Sequence, residues 1–229
     1  MGSTGRSLQL ITEKQGKTLK KIANQTRNLK NEQYRVVDDD GNVLLKKQGK
    51  EHQVTMTVGE SRQTLPNAIS IHNHPSGGTF STEDLNDFGY GAKAIVASAP
   101  EGDYMLENLK MGTKNQYNGW LDMRNAMESE GVYKEWGVLE LRNEARKAPH
   151  LQALREEQNK VTDEWYRRKQ AGASSEELSA LVAKSDRLGN EYSKALQAEE
   201  RRLEVEPVHT WLKQNAGKYG FRYTFTEKK

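Results

Sequence analysis

Two histidines stand two residues apart in Ile71-His72-Asn73-His74-Pro75, and Ser81 and Asp84 follow after one short loop. On an extended segment such a pair points to the same side, so both imidazoles can address one point. A carboxylate just downstream, at the start of a helix, can fold back towards them and complete a three-ligand set. Two His and one Asp around Zn²⁺, with a fourth position left to water, is the pattern of a catalytic rather than a structural zinc. Ser81 then stands beside the metal as a hydroxyl donor. Gly77 and Gly78 permit the sharp reversal that brings the helix start over the histidines. The combination is a hydrolase signature.

The elements around this stretch must position it. Residues 68–71 read as a strand that delivers His72 and His74 at its end, with Ile69 and Ile71 facing away from them. Upstream, residues 34–37 and 43–45 read as two strands joined by a tight turn at 38–42, and residues 54–58 alternate as a third strand. Residues 8–31 carry Leu8, Ile11, Leu19, Ile22 and Leu29 at helical spacing. Ser81 is the expected N-cap of a helix that runs to about Tyr90, with Asp84 in its first turn. Residues 94–97 and 104–106 then form strands around a turn at 100–103.

From residue 119 to 206 the pattern turns helical. Runs at 151–170 and 175–205, joined through Ala171-Gly172-Ala173-Ser174, predict a helical hairpin with one apolar stripe on its second helix. Ser175, with Glu176 and Glu177, is the expected cap of that helix, and Pro207 its expected end. A short helix at 208–216 and a strand at 220–225 return to the earlier character. The fold class is therefore α+β: a domain of residues 1–118 completed by 207–229, with a helical arm inserted at 119–206.

Composition agrees with an extended helical part. Of 229 residues 29% are charged and 7% aromatic, with mean hydropathy −0.94, which is little apolar material for a single core. In the first thirty residues Arg6, Lys14, Lys17, Lys20, Lys21, Arg27 and Lys30 face only Glu13. A solvated helix face explains this better than nucleic acid does. The absence of cysteine excludes disulfides and Cys-ligated zinc. No apolar run approaches the roughly 20 residues that span a bilayer, and the first thirty residues lack the apolar core of a signal peptide. The default expectation is a cytoplasmic protein.

The residues from His72 to Asp84 resemble the motif of the JAB/MPN metallopeptidases, the JAMM family. That motif has an upstream Glu, then His-x-His-Pro, a short loop, and Ser-x-x-Asp. The wording His72-Asn73-His74-Pro75-Ser76-Gly77 is most similar to bacterial members and to JAB-like domains of phage and toxin proteins. The loop from His74 to Ser81 is one residue shorter than in the deubiquitinase-like branch, a departure that touches substrate-loop geometry. The resemblance is specific over residues 69–85, looser over 32–109 and the last strand, and does not extend to the helical part.

The resemblance implies a JAB/MPN-like sheet flanked by helices and a Zn²⁺ peptidase or isopeptidase. His72, His74 and Asp84 would hold the metal. A Glu outside that set would act as general base, and Ser81 would help stabilise the oxyanion. Glu32, at the entry to the first strand, is favoured as that Glu over Glu60, while Glu51 has no reason to point inward. The expected partner is a peptide or protein substrate, with the helical arm available to a further protein. Virion-associated or delivered forms are compatible with such relatives. The competing reading is a phage or mobile-element assembly protein, or a toxin-associated one, whose JAB-like domain only binds; an intact ligand set favours the enzyme. His52, His150 and His209 are expected in surface or packing roles.

Overall fold

A computed structural model describes residues 11–50, 54–75, 77–111, 118–133 and 138–228. Glu51 and His52 lie outside the described residues. The chain divides into two compact units, residues 1–134 with 205–229, and residues 135–204.

The first unit is built on a six-stranded mixed sheet. In chain order it holds α1 (Glu13–Thr26), β1 (Gln33–Val37), β2 (Val43–Gln48), α2 (Val58–Thr64), β3 (Ile69–Asn73), α3 (Asn86–Gly89), β4 (Ala94–Ala99), β5 (Gly102–Asn108) and α4 (Gly119–Ser129). The second unit adds α5 (Val138–Ala145), α6 (Pro149–Gln170) and the first part of α7 (Ser175–Asn215). The end of α7, a 3-10 turn (Ala216–Tyr219) and β6 (Phe221–Glu227) return to the first unit. The fold is α+β, with helices flanking a sheet.

Strand order is β2-β1-β3-β4-β5-β6. Only β3 and β4 run parallel, which requires a crossover, and the segment through α3 supplies it. The two central strands β3 and β4 are buried throughout, because helices cover both faces. On one face Leu19, Ile22 and Ala23 of α1 pack over Val37, Ile69, Ile71, Ala94 and Val96. On the other, Tyr34, Val36, Ile95, Ala97, Tyr104 and Leu106 meet side chains that include Phe88, Met123, Met127 and Leu212. Strand alternation thus turns Ile69 and Ile71 to the α1 face and leaves His72 to the opposite one.

Several local expectations are corrected. Residues 54–58 form no strand: Thr57 and Glu60 make a capping box instead, and a helix starts at Val58. Side chain to backbone bonding of that box wins over an alternation too short to recruit a sheet neighbour. The helix expected from Ser81 to Tyr90 is a run of turns ending in the four-residue α3.

At the other end of the chain, Pro207 does not stop its helix, and residues 208–216 are no separate one. A proline inside a helix costs about 3 kcal/mol. Burial of Val208, Trp211 and Leu212 in the sheet core offsets that cost. Finally, α4 belongs to the sheet unit rather than to the helical arm, since Met123 and Met127 are fully buried there.

In the second unit Ala145, Leu151 and Leu196 form a small core with Tyr192 and Leu203. Ser174, not Ser175, caps α7: its hydroxyl accepts the Glu177 N–H at 3.2 Å, while its own N–H donates to the Glu177 carboxylate at 2.9 Å. Several basic residues of this unit have acidic neighbours. Arg167 and Arg168 pair with Glu164, and Arg202 pairs with Glu199. No helix among the described residues is long and apolar enough to cross a membrane.

Candidate metal centre

The site forms where β3 ends. Tyr34 of β1 lies opposite His72 in the antiparallel register, so the segment just before β1 passes beside the histidine pair. Glu32 sits on that segment, its backbone bonded in both directions to the far side of the β1–β2 hairpin: its N–H donates to the Lys50 carbonyl at 2.8 Å, and its carbonyl accepts the Gly49 N–H at 2.9 Å. Beyond β3 the His74 N–H donates to the Ser98 carbonyl at 2.9 Å, which prolongs the parallel pairing and fixes the second histidine.

Gly77 and Gly78 follow at φ +84° and +113°, conformations that L side chains rarely adopt. They reverse the chain as expected and bring Asp84 back over the imidazoles. Asp84 is held locally by Ser81: the Ser81 N–H donates to Asp84 Oδ2 at 2.7 Å, and the Asp84 N–H donates to Ser81 Oγ at 3.3 Å. This is the reciprocal bonding of a helix start without the helix.

Four side chains converge. His72 Nε2 lies 2.8 Å from His74 Nε2 and 3.1 Å from Asp84 Oδ1. His74 Nε2 lies 3.6 Å from Asp84 Oδ2 and 3.8 Å from Glu32 Oε1. Ligand atoms of Glu32, His72 and His74 all fall within 4.8 Å of one another, forming a buried group that can hold a metal ion. Any two ligands about 2.0–2.1 Å from a tetrahedral zinc stand roughly 3.4 Å apart. The observed separations bracket that figure, so the donor set fits a small cation with only slight opening. His74 Nδ1 faces the Gly78 carbonyl at 3.3 Å. An imidazole nitrogen can only donate to a carbonyl, so Nε2 is left with its lone pair towards the centre. His72 Nδ1 is buried with no hydrogen-bond partner among the described residues, and its ring is held instead by stacking on Tyr34, at 6.0 Å between centroids.

The electrostatics are those of a strongly coupled cluster. For His72 burial disfavours the charge, but the Asp84 carboxylate outweighs it and raises the imidazole to about 9. For His74 burial and the neighbouring His72 act together and lower it to about 4. Burial opposes ionisation of Asp84, yet the charge and hydrogen bond of His72 hold its carboxyl well below the usual range. Without a cation, then, His72 carries the proton of the cluster and Asp84 is ionised.

All the favoured site residues meet here: Glu32, His72, His74, Asp84 and, at the rim, Ser81. Glu60, the less favoured candidate for the base, stands apart. Its carboxylate caps α2 and pairs with Lys47 Nζ at 2.6 Å, and those hydrogen bonds lower it to about 2. Of the other histidines, His209 packs among Tyr104, Tyr223 and Phe225, with Nδ1 2.8 Å from the Tyr223 hydroxyl. The centre opens into a cleft of about 1120 Å³, lined by Glu32, His74, Ser81 and Asp84 and walled by Met56, Tyr90 and Trp120.

Several functional neighbours escape sequence reasoning. Asn73, fully buried between the two histidines, accepts the Gln33 N–H at 2.6 Å and makes longer contacts of 3.4 Å to the Leu29 and Asn31 carbonyls. It anchors the connection that carries Glu32; a polar residue at a buried strand position is the signal that points to it. Asp87 accepts the Tyr34 hydroxyl at 2.7 Å and lines the cleft, and burial raises its carboxyl to about 6. Its place follows from the turns after Asp84, which sequence reads as helix. No family model, curated protein or solved structure matches the chain.

Proposed function

We propose that this chain is a zinc-dependent hydrolase of peptide or isopeptide bonds, working in the manner of the JAB/MPN metallopeptidases that residues 72–84 resemble. The observation that carries this reading is the convergence of His72, His74 and Asp84 to within 3.6 Å of each other, with the Glu32 carboxylate 3.8 Å from His74. A binding scaffold has no use for this arrangement. It costs the burial of two imidazoles and two carboxylates, which is tolerable only when they neutralise each other or a cation.

His72, His74 and Asp84 would hold the zinc. Bound there, zinc would acidify a water molecule and polarise the scissile carbonyl. Glu32, fixed from behind by the hairpin and by the Asn73 anchor, accepts the proton of the attacking water. It then delivers that proton to the leaving amine as the C–N bond breaks, so that carboxylate and amine are the products. Ser81, whose oxygen accepts the Asp84 N–H, keeps its own hydroxyl proton available for the oxyanion at the cleft rim. The cleft runs past apolar and aromatic walls, as an extended peptide requires.

The test is Glu32→Gln, assayed against peptide and isopeptide substrates with zinc content measured in parallel. Loss of a general base should cost on the order of 10²–10⁴-fold in rate, with zinc retained. Undiminished hydrolysis in that variant would remove Glu32 from the chemistry.

A further inference from the structure

Glu101 is remote in sequence from every histidine and stands in the turn between β4 and β5. Its Oε1 accepts two hydrogen bonds, from the Gly78 N–H at 2.9 Å and from the Tyr104 hydroxyl at 3.0 Å. Its Oε2 is buried and has no hydrogen-bond partner among the described residues. A carboxylate in such a place is costly, and the bonds to Gly78 and Tyr104 are what hold it there.

The peptide groups on either side of Gly78 link this carboxylate to the metal centre. The N–H of Gly78 is bonded to Glu101, and its carbonyl faces His74 Nδ1 at 3.3 Å. On its other side Gly78 packs near Val205, where a Cβ would lie 3.4 Å from Val205 Cγ2. At φ +113° a glycine has many alternatives open to it, so its carbonyl direction depends on such anchors. If the carbonyl turned away, His74 would lose the acceptor that keeps the proton on Nδ1. The His72 contact at 2.8 Å would then be left alone to keep Nε2 an acceptor, and the Nε2–H tautomer, which blocks the lone pair that a metal needs, would gain population.

We propose that Glu101 is a positioning residue of this centre: its carboxylate pins Gly78, and the Gly78 carbonyl thereby holds His74 in the Nδ1–H tautomer with Nε2 free. The geometry stands without any metal; its consequence for metal affinity rests on the function proposed above.

The experiment reads the His74 imidazole by long-range ¹H–¹⁵N NMR in chelator-treated protein near neutral pH, for the wild type, Glu101→Gln and Glu101→Ala. The wild type should show the Nδ1–H tautomer. Glu101→Gln retains an oxygen for the Gly78 N–H and should keep it, whereas Glu101→Ala should give a mixture. Competition with a zinc chelator should then show affinity weakened 10–100-fold in Glu101→Ala and within a few-fold of wild type in Glu101→Gln. An unchanged tautomer in folded Glu101→Ala overturns the proposal. So does an Nε2–H tautomer in the wild type, which decides the matter even if Glu101→Ala does not fold. A wild type that binds no zinc while Glu101→Ala still shifts the tautomer would overturn the metal reading and leave the positioning role standing.

Discussion

The Nε2 atoms of His72 and His74 face each other across 2.8 Å, a contact that is attractive only when one nitrogen carries a proton and the other a lone pair. His72, raised to about 9, is the donor, and His74, lowered to about 4, is the acceptor. A metal ion must displace that shared proton. Between those two values zinc affinity should therefore rise about tenfold per pH unit, with one proton released per ion bound. Calorimetric titration in buffers of different ionisation enthalpy counts the proton; a pH-independent affinity would contradict the shared-proton cluster.

Stability of the metal-free protein should move in the opposite direction. The folded value of His72 lies above the unfolded histidine value of about 6.5. Its contribution is then fully present below about pH 6.5 and lost as pH rises through about 9. His74 is neutral in the folded protein across this window; its residual protonation in the unfolded chain near pH 6.5 is shared by the reference protein and cancels in the comparison. Urea midpoints with chelator present should fall from pH 6.5 to 9 relative to a His72→Gln reference, and equal slopes in the two proteins would refute the assignment.

Asn73→Asp separates support of Glu32 from ligation. The carboxylate still accepts the Gln33 N–H but cannot donate to the Leu29 and Asn31 carbonyls that Asn73 Nδ2 approaches. Leaving buried polar groups unsatisfied costs about 1–3 kcal/mol, measurable by urea denaturation. Zinc stoichiometry should be unchanged while hydrolysis falls, because His72 and His74 are held independently by β3 and by Ser98. Loss of the metal together with activity would mean that Asn73 supports the whole centre.

The unit boundary at residue 134 can be tested by excision. Replacing residues 135–204 with a Gly/Ser linker should leave a folded, zinc-binding protein. Replacing residues 120–205 should not, because it removes the fully buried Met123 and Met127 from beneath the sheet. Circular dichroism and zinc content distinguish the two. Equal folding of both would detach α4 from the sheet unit.

Much of this was legible in the sequence where local chemistry and tertiary context agree. His72 and His74 share a face because a strand has period two, and the strand reading rested on Ile69 and Ile71, which pack under α1. Glycines at 77 and 78 announced a reversal that the backbone makes. What was hidden depends on partners remote in sequence. Val54 to Val58 alternates like a strand, but the capping box of Thr57 and Glu60 decides the segment, and in doing so removes Glu60 from the catalytic candidates. Pro207 is a local stop signal that burial of Trp211 and Leu212 overrides. Glu101 reaches the centre only because β4 pairs with β3, a parallel register that no local pattern reports.

Zinc stoichiometry of the purified chain, measured by mass spectrometry of the metal alongside His74→Ala and Asp84→Ala, is the most direct test of a metal centre at the end of β3. One ion per wild-type chain is expected, with depletion in both variants and retention in Glu60→Gln, whose carboxylate is committed to Lys47 and the α2 cap. A wild type that binds no zinc when supplied with it, or variants that keep full occupancy, would contradict it.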